Sequence, residues 1–405
     1  MAIKKSYITG IVLTIIVIVA AYYLHKPAPA KLPEKIYIGA AMCQTGAFAA
    51  PAKHTFAAMR DYWELVNKRG GINGIPVVFL EADNEYKAET TVTIVTEWLA
   101  EYPLSVVITC GTHAVAALYP TMRDAGIPYT DPSLAGAWGN ATKYPWYFLP
   151  PFSSYTDHYR AFLKWFKDGW TEARNPKLAI VWETKTMGPL TKPGVASYAE
   201  YIGYDVHDEV VEIGSTEAYA QIERIKDWGA DVVATIVPPS ETVVVLKNAA
   251  ERSLEAEFVG FYYSFFWEPL IAIFGPLAEG KYGSSNSIPW GYDVPGMADI
   301  IEAQVQCHPG KWYNSTMYVY GWVHSMIIEE ALKRAAEAGD LSGEGVKAAW
   351  ETIEDFDTGG LTPPVTYTSK DHRGTTTVWV WKVESGKFVK VAQVILPRED
   401  PWFGK

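Results

Sequence analysis

Apolar and polar positions along this chain follow two alternating rhythms. Short apolar runs stand at Lys35–Met42, Pro76–Glu81 and Val106–Thr109, each followed by a polar turn. Runs of that length bounded by turn residues read as buried strands. Between them the apolar residues recur at helical spacing. Phe56, Met59, Tyr62, Trp63 and Val66 mark one helix, Lys87 to Glu101 a second, and Ala114, Ala117, Leu118 and Met122 a third. Strand followed by helix in succession predicts a parallel α/β sheet.

The same rhythm then begins again. A helix over Tyr155–Trp170 precedes strand Leu178–Trp182, and strands Asp205–Val211, Asp231–Val237 and Phe258–Tyr262 alternate with helices through Val195–Ile202, Ala218–Trp228 and Thr242–Ser253. The Pro-containing passage Tyr147-Phe148-Leu149-Pro150-Pro151 separates the two sets. Two doubly wound α/β lobes with a cleft between them fit this better than one long sheet. The last part is mostly helical at Met297–Gln306, Tyr318–Ala338 and Gly345–Ile353. It ends in Thr376–Val383 and Lys387–Ile395, which alternate about Ser385-Gly386 as a hairpin does.

The stretch Ser105–Ala135 organises the rest. Gly111-Thr112 makes a turn after the third strand, with Thr112 placed to cap a helix starting near His113. Asp131-Pro132-Ser133 makes a turn after the fourth strand, Ile127–Thr130. Both loops lie on the carboxyl side of their strands, where ligands settle in open parallel sheets. They are read as half of a small-molecule site.

Composition narrows the function. A formal charge of -11 over 405 residues leaves no basic stripe for nucleic acid. Sixteen Trp and twenty-five Tyr make an aromatic-lined pocket plausible. Lys4 and Lys5 precede an uncharged apolar run, Ile8–Leu24, and then Ala28-Pro29-Ala30. That is the form of an export signal, residues 1–30, and the run is also long enough for an uncleaved membrane anchor. Either way the folded part works outside the cytoplasmic membrane. Cys43, Cys110 and Cys307 are too few for a disulfide framework. Cys43 and Cys110 each follow a strand and would bridge if those strands are neighbours; the favoured alternative is two buried thiols. The cysteine spacing matches no zinc pattern, and no cofactor is expected.

Several short motifs, in this order, resemble the extracellular solute-binding proteins of branched-chain amino acid-type ABC importers, the type I periplasmic binding proteins. They are Ile38-Gly39 with Thr45-Gly46, Gly70-Gly71-Ile72-Asn73-Gly74, Ala125-Gly126-Ile127-Pro128 with Pro132-Ser133, Gly229-Ala230-Asp231 and Phe258-Val259-Gly260. The passage Asp355–Pro364 with Asp371-His372-Arg373-Gly374 is similar to a subgroup of the same proteins. The resemblance implies two lobes joined by three crossings, near Pro150, Tyr282–Pro289 and Asp357–Arg373. Lobe one would be 35–150 with 290–356, and lobe two 151–289 with 357–405. It further implies hinge closure on a small solute and delivery to permease subunits, with membrane attachment through the N-terminal segment if that is not cut.

The ligand would meet Gln44, Phe48, Thr112, His113, Ser133, Leu134 and Ala135 in lobe one, and Tyr155, Met187, Pro239, Tyr262 and Tyr263 in lobe two. Branched-chain or other apolar amino acids are the first ligands implied. The lobe-two carboxylate that holds the ligand's ammonium in these proteins has no counterpart after Phe258-Val259-Gly260, where Phe261-Tyr262-Tyr263 stands. Glu183, Glu241 or Glu268 then takes that role, or the ligand is an aromatic carboxylate or amide, with Tyr262, Tyr263 and Phe266 as a stacking wall. Asp371-His372-Arg373 reads as a solvated turn beside the hinge. Two other functions compete: an extracellular thiol hydrolase using Cys110 with His113, and an anchored ligand sensor. No catalytic triad or metal motif supports the first, and the second needs a separate output protein.

Overall fold

The computed structural model describes residues 32–46, 48–261, 264–308, 310 and 313–405. The apolar run Ile8–Leu24 and the expected site residues Tyr262 and Tyr263 lie outside them. Two sheets form the frame. The first has the order β2-β1-β3-β4-β5, with β1 at Ile36–Met42, β2 at Val77–Asp83, β3 at Leu104–Ile108, β4 at Tyr129–Thr130 and β5 at Tyr147–Phe148. Every pairing in it is parallel. β3 is buried along its whole length, as expected of a parallel strand covered on both faces.

The second sheet repeats the plan. Its parallel strands run β7-β6-β8-β9-β10, where β6 is Lys177–Trp182, β7 Asp205–Val210, β8 Val232–Ile236, β9 Glu257–Phe261 and β10 Tyr282–Ser285. The hairpin of β11 (Thr377–Glu384) and β12 (Lys387–Ile395) extends it antiparallel. The hairpin turn has positive φ at both Ser385 and Gly386, the backbone that matches strand twist. Both sheets reverse direction beside their first strand, so each has a crevice at its carboxyl edge. These are the two doubly wound lobes expected.

The helices that matter for the site begin just past strand ends: α1 at Ala49–Lys68, α2 at Ala88–Glu101, α3 at Thr112–Ala125, α4 at Tyr155–Asp168 and α5 at Gly188–Tyr201. The buried side of α1 includes Phe56, Met59, Trp63 and Val66. It packs along the long helix α6, Thr316–Ala338. Gly321 of that helix permits the approach, since a β-carbon there would lie 2.0 Å from the Thr55 carbonyl oxygen. Among the described residues, the periodicity misses β5, β10, the short helix Glu268–Phe274 and the single 3-10 turns Gly136–Gly139 and Gly275–Ala278.

Three crossings connect the lobes, and they are bonded to one another. The Ser153 amide donates to Asn286 Oδ1 at 2.9 Å, and the Ser153 hydroxyl donates to the Thr375 carbonyl at 2.8 Å. Asn286 Nδ2 reaches the Ser153 hydroxyl at 3.1 Å and also the Thr377 carbonyl. Asp371-His372-Arg373 is not the solvated turn expected, for all three side chains are buried. Arg373 donates to Asp157 Oδ2 at 2.9 Å and to both oxygens of Asp371 at 3.0 Å. Arg160 and Arg398 extend this network to Asp400, Asp157 and Asp371. Two cations and two anions, Arg160, Arg373, Asp157 and Asp371, can be buried because each finds a partner, with Arg398 and Asp400 at the solvent edge. His372 stacks on Phe148 with centroids 3.8 Å apart.

Candidate ligand-binding site between the lobes

Four loops of the first lobe and two segments of the second converge on one cavity. After β1, the Gln44 and Thr45 amides and the Thr45 hydroxyl donate to Asp83 at 2.6–3.2 Å. Although burial opposes its charge, the Thr45 hydroxyl and the surrounding amides hold the Asp83 carboxyl below its usual range. After β2, the buried side chain of Asn84 donates to the Cys110 carbonyl and the Thr91 hydroxyl, both at 2.9 Å, and accepts from the Tyr86 amide. Glu85 and Tyr86 both have positive φ, a costly backbone for residues with side chains. That turn lays the Tyr86 ring against Phe48, with centroids 5.6 Å apart and planes 19° from parallel.

After β3 the chain passes Cys110 and enters α3 through Gly111, at φ 119. A β-carbon there would sit 2.9 Å from the His113 ring and 3.1 Å from the Tyr86 ring. Cys43 and Cys110 are joined as a disulfide, so the expectation of two free thiols is corrected. The strands they follow, β1 and β3, are neighbours, which brings the two positions together. A bonded sulfur is no nucleophile, which removes the thiol-hydrolase reading. Thr112 begins α3 but does not cap it. Its hydroxyl lies 2.5 Å from the Ser133 hydroxyl.

After β4, Asp131 is wholly buried. It accepts from the Thr109 hydroxyl at 2.6 Å and the Ser133 amide at 2.7 Å, and burial raises its carboxyl above the usual range. Lobe two supplies Tyr155, whose amide donates to the Leu134 carbonyl at 2.7 Å. Burial pushes the Tyr155 hydroxyl up to about 12, against opposing hydrogen bonds from the Ser133 and Thr112 side chains. After β6, Glu183 is buried and accepts from the amides of Lys185, Thr186 and Gly188 and from the Thr186 hydroxyl. This folds the loop so that Thr186 and Met187 face lobe one.

The cavity is narrow, about 20 Å³, and is lined by Phe48, Tyr86, Cys110, Gly111, Thr112, Asp131, Pro132, Ser133, Tyr155, Thr186 and Met187. Of the expected residues, Phe48, Thr112, Ser133, Tyr155 and Met187 meet there. Gln44 gives its backbone amide to Asp83 and does not line the cavity, and Leu134 and Ala135 are core. Pro239 opens the helix after β8 and does not line the cavity. His113 stands behind the wall, its Nε2 3.0 Å from the Tyr86 carbonyl oxygen and its ring edge-on to Tyr86. Phe266 packs in the core of lobe two against Trp381 and Phe388.

Glu241 and Glu268 also spend their oxygens elsewhere, on Gly214 and Ser240 and on Trp290 and Thr316. Sequence reasoning missed Tyr86 and Thr186, and it placed Asp131 in a site loop without giving it a role. Tyr86 sits in a loop at a strand's carboxyl end, the one signal that would have found it. No cluster of metal-ligating side chains occurs among the described residues.

The family model for periplasmic binding proteins matches residues 35–387. The chain belongs to that family. As a type I periplasmic binding protein it comes from a class that binds solutes rather than transforming them. Several solved structures share its fold. A fatty acid ABC transporter substrate-binding protein from Thermomonospora curvata superposes with TM-score 0.79 at 21% identity, covering 90% of this chain and 93% of that one. A branched-chain amino acid ABC transporter protein from Thermus thermophilus with bound valine gives 0.80 at 21%, over 92% and 98%. A solute-binding protein from R. palustris in complex with benzoate gives 0.75 at 16%, over 92% and 99%. No curated protein sequence matches this periplasmic binding protein.

Proposed function

We propose that this protein is the substrate-binding component of an ABC importer, capturing a small organic solute between its lobes and handing it to the membrane permease. The observation that carries the reading is the cavity itself, lined by Phe48 to Ser133 of one lobe and by Tyr155, Thr186 and Met187 of the other. A solute held by both walls ties the lobes together, which is hinge closure. The lobes are taken as 35–150 with 290–356 and 151–289 with 357–405, with attachment to the membrane through the N-terminal segment where it is retained.

Resemblance favours branched-chain or other apolar amino acids. Aromatic carboxylates or amides are the second choice, supported by the rings of Phe48, Tyr86 and Tyr155. The test is a thermal-shift and calorimetric screen of the full chain against amino acids, amines, carboxylates and amides, with small-angle scattering of any positive. A true ligand raises the melting temperature by mass action and reduces the radius of gyration. A broad screen in which nothing binds would sink the reading.

A further inference from the structure

Resting on that reading, we infer that the end of the solute seated on Asp131 is a cationic nitrogen, and that this cleft rejects solutes whose only charge is a carboxylate. No Lys, Arg or His side chain lines the cavity among the described residues. Two helix N-termini flank it, α3 from lobe one and α5 from lobe two, and such ends ordinarily hold anions. A carboxylate of the chain itself fills the α5 end, and another, Asp131, stands beside the α3 end.

At α5, Glu183 takes the amides of Lys185, Thr186 and Gly188. Beside α3, Asp131 receives the Thr109 hydroxyl and the Ser133 amide. The hydroxyls of Thr112 and Ser133 are bonded to each other. An anion entering here would meet a buried like charge whose one basic neighbour, His113, stands behind the wall and not in the cavity, in surroundings where water screens poorly.

For a cation every one of these features turns favourable. A carboxylate offers roughly four lone-pair sites, and two donors leave Asp131 acceptor capacity to spare at the cavity wall. The ammonium would offset the burial that now opposes the charge on Asp131. The rings of Phe48, Tyr86 and Tyr155 beside it attract positive charge through their faces. An amino acid bound this way would lie reversed relative to the arrangement implied by resemblance, its ammonium on lobe one instead of lobe two.

Matched pairs test this on the full chain: isobutylamine against isobutyrate and benzylamine against benzoate, with valine alongside, by calorimetry and thermal shift. The amines should bind at least about tenfold tighter than their carboxylates, the scale of one charge-assisted contact. A carboxylate that binds as well as or better than its amine overturns the inference and leaves solute capture standing. Silence from every solute class in the wider screen would sink both. Asp131→Asn should weaken amines by about tenfold and strengthen carboxylates, whereas a merely structural role would weaken both. If that variant does not fold, the matched pairs decide on the unaltered protein.

Discussion

Arg373 shows what a single buried side chain can hold. Its guanidinium joins Asp157 on α4 to Asp371 on the third crossing, and its ring partner Phe403 lies 4.6 Å from the charge. Replacing it with Met leaves Asp157 to Arg160 alone and Asp371 to Arg398 alone, and Arg373→Met should cost about 2–3 kcal/mol, read from the denaturant midpoint. A change below about 1 kcal/mol would mean the network is solvated after all. Burial also pulls His158 and His324 down to about 3, while in the unfolded chain each titrates near 6.5. Below pH 6.5 the unfolded state therefore binds protons that the native state refuses. Stability is full above that pH and falls toward pH 3 by up to about 1.4 kcal/mol per unit for each histidine. Asp157 adds to this loss at lower pH. Burial opposes its charge, but Arg373 and Arg160 hold its carboxyl below the usual range, so its contribution is present above about pH 4 and lost below. A melting temperature constant from pH 7 to 4 would contradict this. The three-letter run Asp371-His372-Arg373 could not announce its burial, because its main partner Asp157 stands 216 residues away. The role of Asp131 was hidden in the same way, since the Thr109 hydroxyl that fixes it is 22 positions off.

Among the elements, legibility tracked hydrophobic pattern. Leu104–Ile108 is apolar enough to declare itself, and its loop led to Thr112 and Ser133. Tyr282–Ser285 reads Tyr-Gly-Ser-Ser and declares nothing, yet all four residues are buried. It is a strand because β9 lies on one side and β11 on the other. The disulfide was open in the sequence for a related reason, because strand adjacency is a property of the sheet. That bond, Cys43 to Cys110 across 67 residues, ties the loops carrying Phe48 and Thr112. Reduction should lower stability by about 2–4 kcal/mol and loosen the first-lobe wall. Chemical denaturation with and without reductant measures it, and coincident curves would show that the link contributes nothing.

At the scale of the whole molecule, the chain visits lobe one, lobe two, lobe one and lobe two again. Residues 36–148 lay down the first sheet, but α6, which covers α1, comes only at Thr316–Ala338. The second sheet likewise waits for Thr377–Ile395 to complete the edge beside β10. A chain truncated after residue 356 should therefore leave lobe two unfinished. Limited proteolysis should find the stretch 177–285 cleaved while 36–148 resists, and uniform resistance would refute this.

The order of the strands has a further consequence, for the time at which the protein folds. Contacts this distant in sequence make folding slow, since loops must close before pairing rewards them. Made from its amino end, the chain is past residue 316 before the first lobe can finish and past residue 377 before the second can. The hairpin that arrives last therefore sets the moment at which the protein becomes whole, and until then β10 keeps an open edge.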